Sequence, residues 1–260
     1  MVRVAKTLKQ IRAGRLVCAV VYTTPTAGDS SRARAEKQHA SNEAREKLNA
    51  RTSFEKLERA LAANFDSGDL YVTFSYDDKH LPADRSAAVR RMRAFAPKLR
   101  AARRERGETL SYVYVTEGAY PGGRLHHHMV LNSTGKDIKE LKELWKYGDN
   151  VEVRRLKFNE DYTYGDLASY LTKEPREWGN PRVGEKTWTP SIGLRRPQQE
   201  TCSVPDNLTL VAPPEAVAVE VQRSESNGFG SYSWIKYLLP PESGRKPKRA
   251  KNRRRKPRKE

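Results

Sequence analysis

Residues 123–131 read Gly-Arg-Leu-His-His-His-Met-Val-Leu (GRLHHHMVL), and how this stretch is read decides the fold. The chain has five histidines, and three of them stand together here, just ahead of an apolar run. Side chains on a strand alternate between the two faces of its sheet. As a strand over 125–131, the stretch turns His126 and His128 one way and His127 the other. Two neutral imidazoles two residues apart on one face can share a metal ion. A histidine triplet can also be a surface patch, but this one is internal and framed by Leu125 and Met129-Val130-Leu131.

Working upstream, Leu110–Thr116 (LSYVYVT) is rich in β-formers and ends beside Glu117. The intervening GAYPGGRL is short enough for a hairpin, which would set Glu117 next to the histidine strand. A Glu117/His126/His128 site follows from local geometry, and its hard carboxylate oxygen suits Mg²⁺ or Mn²⁺. Zinc fits less well, because no cysteine lies near in sequence. Further upstream, Leu70–Tyr76 (LYVTFSY) alternates as a strand, and Asp84–Arg106 reads as a helix in which Pro97 predicts a kink or break.

Downstream, Asp137–Lys146 is a predicted helix and Val151–Val153 a short strand. Thr163–Glu174 is a second helix, with Thr163 as N-cap and Asp166 three residues on. A long helix starts at Ser41 or Asn42, and Leu48, Phe54, Leu57, Leu61 and Phe65 form its core stripe. Residues 176–214 read as loop, and 215–221 and 232–239 as late elements. Residues 1–25 read as a lead-in with one strand, and 26–40 as a flexible linker. Intermixed strands and helices with alternating strand patterns indicate an α+β fold.

Composition narrows the partners. The chain has 260 residues and a net charge of +18, which favours a polyanion through phosphate attraction and counterion release. Residues 245–259 carry eleven Lys or Arg. With Glu260 they hold ten of the eighteen net charges, leaving +8 on residues 1–244. The tail, 241–260, cannot bury a core and is expected to be disordered, with Arg253, Arg254 and Arg255 as a nonspecific nucleic-acid arm. The most apolar stretch, Leu16–Tyr22 (LVCAVVY), is too short to span a bilayer and reads as a buried strand rather than a signal segment. The two cysteines, Cys18 and Cys202, are isolated and build neither a metal site nor a disulfide framework. A cytoplasmic protein without a membrane partner is expected.

A metal site on a basic chain points to phosphate chemistry, which needs a nucleophile. Asp166–Glu174 (DLASYLTKE) offers Tyr170, with Lys173 three residues on and on the same helix face. A tyrosine can form a covalent intermediate at phosphorus. Alone, Tyr-x-x-Lys is equally read as a half-buried tyrosine and a solvated lysine.

Taken in order, GDLYVTFSYDDKHLP, GRLHHHMVL and YLTKE resemble the HUH endonucleases, and most closely the rolling-circle replication initiators of plasmids, phages and single-stranded DNA viruses. The resemblance covers roughly residues 40–175. It implies a central antiparallel sheet flanked by helices, related to the RNA-recognition fold, in an endonuclease domain over 41–240 with a C-terminal extension. The preceding segment, 1–40, would be an N-terminal strand and loop. The resemblance also implies that Glu117, His126 and His128 hold the metal, that Tyr170 cuts single-stranded origin DNA to leave a 5′-phosphotyrosine and a free 3′-hydroxyl, and that Lys173 assists. Host helicase and polymerase would be partners in a bacterial cell.

The chain departs from that pattern at the middle histidine, where the family has an apolar residue. His127 is therefore expected to face the helix-packed side as a hydrogen-bonded core residue. Tyr162 and Tyr164 do not match a second catalytic tyrosine and read as packing residues. STGKD (133–137) fails as a P-loop, with Val130 and Asp137 in the wrong places. For DNA contacts the candidates are Arg124, Arg195, Arg196, Trp178 and Trp188. Phe74, Tyr76, Trp145 and Trp234 are further aromatics for base stacking or core packing. A relaxase or transposase shares the same motifs. A noncatalytic basic nucleic-acid-binding protein would carry the histidines incidentally.

Overall fold

Strand alternation and helix periodicity become two sheets and four α-helices in the computed structural model of the chain, which describes residues 6–23, 42–120, 122–158, 163–173, 186–227 and 230–240. In chain order the elements begin with β1 (Lys6–Ala13), β2 (Leu16–Thr23), α1 (Asn42–Asn64), β3 (Leu70–Ser75) and α2 (Arg85–Glu105). They continue with β4 (Tyr112–Glu117), β5 (His126–Leu131), α3 (Asp137–Leu144), β6 (Val151–Arg155) and α4 (Tyr164–Leu171). The last four are β7 (Thr189–Pro190), β8 (Gln198–Val204), β9 (Val217–Asn227) and β10 (Gly230–Leu238).

The central sheet has the order β6-β3-β5-β4-β7, and its strands pair antiparallel. Its middle strands bury residues on both faces, so they contribute to two cores. On one side Val72, Phe74, Tyr112, Tyr114, Met129 and Leu131 pack against Met92, Phe95 and Leu99 of α2 and Leu141 of α3. On the other, Val113, Val115 and Val130 pack against Leu57 and Leu61 of α1 and Leu167, Ala168 and Leu171 of α4. Fully burying a large apolar side chain contributes about 1.5–3 kcal/mol, so either layer is ample to fix the sheet's register.

The second sheet has the order β8-β1-β2-β10-β9 and joins the α1/α4 core through Ala13, Leu16, Cys18 and Leu238. Here the structure adds to the sequence reading. In place of the single strand expected within residues 1–25, β1 and β2 form a hairpin, turning at Gly14 with φ +59°. Residues 198–204, expected as loop, form β8 because β1 offers them an edge: Leu8 pairs with Cys202 and Arg12 with Gln198. QQETCSV is exposed almost throughout, so no alternation marks it as a strand.

α2 runs through Pro97 without a break. Pro97 is exposed, so the carbonyl that loses its helical donor is open to water. Asp84 caps this helix, accepting from the Ala87 amide. The stripe on α1 holds at Leu57 and Leu61, with Phe65 just beyond the helix, but Leu48 is 64% exposed. Of the aromatics weighed for base stacking, Phe74 and Trp145 are core residues, and the Trp145 indole donates to the Ser75 carbonyl. Among the described residues no helix is long and apolar enough to cross a membrane.

Candidate metal centre and active site

β4 and β5 pair so that Glu117 lies opposite His126 and Val115 opposite His128. The connection that allows this register turns at Gly118, with φ +86°. A Cβ there would lie 2.0 Å from the Arg124 carbonyl oxygen, so the hairpin admits only glycine at its first position.

On the face shared by β4 and β5, three ligand-type atoms converge. His126 Nε2 and His128 Nε2 are 3.1 Å apart. Glu117 Oε2 is 3.8 Å from the first and 3.5 Å from the second. Together the three residues could hold a metal ion, their ligand atoms all lying within 4.8 Å of one another. A divalent ion about 2.1 Å from each nitrogen, with the bonds near a right angle, sets them roughly 3 Å apart.

The outer hydrogen bonds prepare the same arrangement. His126 Nδ1 lies 2.8 Å from the Arg124 carbonyl, which can only accept, so this nitrogen carries the proton and Nε2 presents its lone pair. His128 Nδ1 meets the Thr73 hydroxyl at 3.1 Å, which leaves its Nε2 free in the same way when Nδ1 donates. Two lone pairs facing at this range repel unless a cation lies between them. Glu117 is 3% exposed, and its Oε1 has no hydrogen-bond partner among the described residues. A buried carboxylate left so is costly, and a bound cation would compensate it.

The opposite face of the same strand is closed. His127 is fully buried, with Nδ1 2.9 Å from the Thr116 hydroxyl and Nε2 2.6 Å from the Tyr76 hydroxyl. Its ring meets the rings of Tyr76, Tyr114 and Trp145. Burial, and after it the charges of His126, His128 and Arg85, hold its imidazole down at about 3, so it is neutral at ordinary pH. Burial likewise pushes the Tyr76 phenol upward. The expected core role of His127 is what the structure shows.

Tyr170 reaches the metal-type face from α4. The helix is anchored by a full capping box between Thr163 and Asp166. Tyr164 pins the same turn, donating to the Phe65 carbonyl and to Asp66 Oδ1, which gives it the packing role expected of it. Six residues on, the Tyr170 ring is 5.8 Å from that of His128 and 6.2 Å from that of Tyr71, and 44% of the residue is exposed. Tyr71 in turn stacks on His128 at 5.3 Å. The Lys173 ammonium sits 4.5 Å from the Tyr170 ring centroid, a cation–π contact.

Sequence reasoning missed Arg154. Its strand partner is Tyr71, and with Glu152 it occupies the side of β6 opposite the buried Val151 and Val153, which is the Tyr170 side. The guanidinium is exposed and bonds Glu152 Oε1. The signal was the alternation of VEVRR, which extends the strand two residues past Val153.

The DNA-contact candidates are spread widely. The Arg124 guanidinium is held by the Tyr76 carbonyl and Asp78 at the rim of the His127 face. Arg195 and Arg196 are exposed beyond the end of α1, where Asn64 accepts from the Arg195 amide. Trp188 is half-buried, its indole donating to the Ser53 carbonyl. Trp234 is half-buried too, in the second sheet. Trp178, Tyr162, Arg253, Arg254 and Arg255 lie outside the described residues.

Compared with known proteins, residues 69–175 match the family model of the ORF2-type replication-associated proteins. No curated protein and no solved structure matches the chain. The matched segment runs from the start of β3 past the end of α4, so it contains Glu117, His126, His128, Tyr170 and Lys173 and omits most of the second sheet. The match supports a role in initiating replication.

Proposed function

We propose that the chain is a metal-dependent nickase and strand transferase of the HUH type, acting on single-stranded origin DNA to start rolling-circle replication. One observation carries this reading: the Tyr170 ring lies against His128, a member of a Glu/His/His cluster with metal-site spacing. Glu117, His126 and His128 would hold Mg²⁺ or Mn²⁺, which when bound polarises a nonbridging phosphate oxygen and offsets transition-state charge.

The chain's own groups do the rest. The Tyr170 hydroxyl attacks phosphorus, so a Tyr Oη–P bond forms as the P–O3′ bond breaks. The phenolic proton is lost, and the departing 3′-oxygen gains one to become a hydroxyl. One phosphodiester replaces another, so no nucleotide cofactor is needed, and reversal of the step rejoins the strand. The Lys173 ammonium, lying over the phenol ring, favours the phenolate that the attack requires. Arg154 is placed to steady phosphate on the same side. A polymerase would extend the 3′-hydroxyl, with unwinding left to a host helicase.

The test is a denaturing gel. The protein is incubated with Mn²⁺ and labelled single strands from the adjoining DNA. A covalent adduct is expected from the wild-type chain and none from Tyr170→Phe. An adduct that persists in Tyr170→Phe removes Tyr170 as nucleophile, and no adduct with any strand favours a noncatalytic binding protein.

A further inference from the structure

A second feature lies along the outer edge of β4. There a groove of about 400 Å³ runs between the first half of α2 and residues 186–189. Arg85, Arg90 and Arg93 line it from the helix, Lys186 and Trp188 from the facing segment, and Tyr114, Val115 and Thr116 form its floor. Its lining includes four cations and no carboxylate. Arg90, Arg93 and Lys186 are exposed, and none pairs with an acid among the described residues. The Arg85 guanidinium donates to the Lys186 carbonyl, tying the two walls together.

The floor is a strand edge that loses its neighbour. β7 covers β4 only at Val113 and Tyr114. Tyr112 turns its amide and carbonyl outward, to Ser191, and strand alternation gives Thr116 the same outward phase beyond the end of β7. The residue after Thr116 is Glu117. The groove therefore ends about one strand residue, roughly 3.3 Å of rise, short of the metal-type cluster.

We infer that this groove is a track for single-stranded DNA, holding the phosphates that flank the scissile one as the strand crosses the β4 edge toward Glu117. The inference rests on the reading of the chain as an enzyme acting on single strands. A cavity of this size encloses a ligand on the scale of a nucleotide. A duplex cannot enter it. The half-buried Trp188 ring offers a wall for stacking, and its tie to Ser53 holds it rigid.

The test is fluorescence anisotropy with a labelled single-stranded oligonucleotide, on the full chain in EDTA so that no cutting intervenes, across a salt series. Arg90→Ala/Arg93→Ala/Lys186→Ala is compared with the wild type, the basic tail being intact in both. Three lost phosphate contacts should lower the log Kd–log salt slope by about 2 and weaken binding about tenfold or more at physiological salt. Duplex affinity should change far less. An unchanged slope, or an equal loss on duplex, overturns the track. In the adduct assay the variant should need a higher strand concentration for half-saturation and keep its saturating rate; a lower saturating rate with unchanged binding also overturns it. The salt slope is read without catalysis, so it stands even when no adduct forms, and failure of the track is separable from failure of the nickase.

Discussion

The two faces of β5 carry the same chemical group to opposite ends. On one face His126 and His128 keep their Nε2 atoms unprotonated, 3.1 Å apart, beside a buried carboxylate. On the other, one residue away, His127 has both ring nitrogens spoken for and no solvent contact. Imidazole chemistry is the same in all three. What separates them is the partner each nitrogen meets: a backbone carbonyl or threonine behind a ligand, against two hydroxyls that close off the ring. Sequence position alone made three equal histidines, and strand parity sorted them.

This contrast can be broken most severely on the open face. His126→Ala or His128→Ala should cut adduct formation by about three orders of magnitude or more, on the scale of losing a catalytic group, while salt-sensitive DNA binding survives. Gel assay and anisotropy on the same preparation read both. On the closed face the signs exchange. His127→Ala leaves a cavity and strands the Tyr76 and Thr116 hydroxyls, so it should destabilise by about 3 kcal/mol, lowering the melting midpoint by roughly 6–12 °C. A His127→Ala protein that melts like the wild type would show that the face is not sealed.

Metal addition sharpens the comparison next. Mn²⁺ at about a hundred times its Kd should stabilise the wild type by about 2.7 kcal/mol in thermal melts, and the shift should vanish in His128→Ala. A shift that persists would place the ion elsewhere. Thr73→Val is the mildest probe. It removes the hydroxyl behind His128 and should weaken Mn²⁺ binding about tenfold, read by calorimetry, with little change in the melt of the metal-free chain.

Much of the site was legible in the sequence because its parts are local. Glu117, His126 and His128 lie on one hairpin, and period-two alternation assigns their faces without tertiary knowledge. Thr163 and Asp166 announced the start of α4, so the place of Tyr170 on that helix followed. What was hidden depends on distant segments. β8 is a strand because β1 pairs with it, and nothing in QQETCSV says so. The cationic groove joins Arg90 and Arg93 to Lys186, nearly a hundred residues on, and along the chain each reads as an ordinary solvated charge. Leu48 fits its helical stripe by spacing and still faces water, since periodicity gives direction and not what waits there.

The glycine turn at 118 has a further consequence. Strand side chains repeat every two residues, so a hairpin re-formed one residue out of step would turn the middle imidazole toward the cation and drive its two neighbours into the Phe74–Trp145 packing layer. Such a chain would keep every amino acid of its centre and offer one nitrogen ligand where two are needed. The steric lock between residue 118 and the Arg124 carbonyl thus acts as a reading-frame mark for the metal, set by backbone shape before any ion arrives.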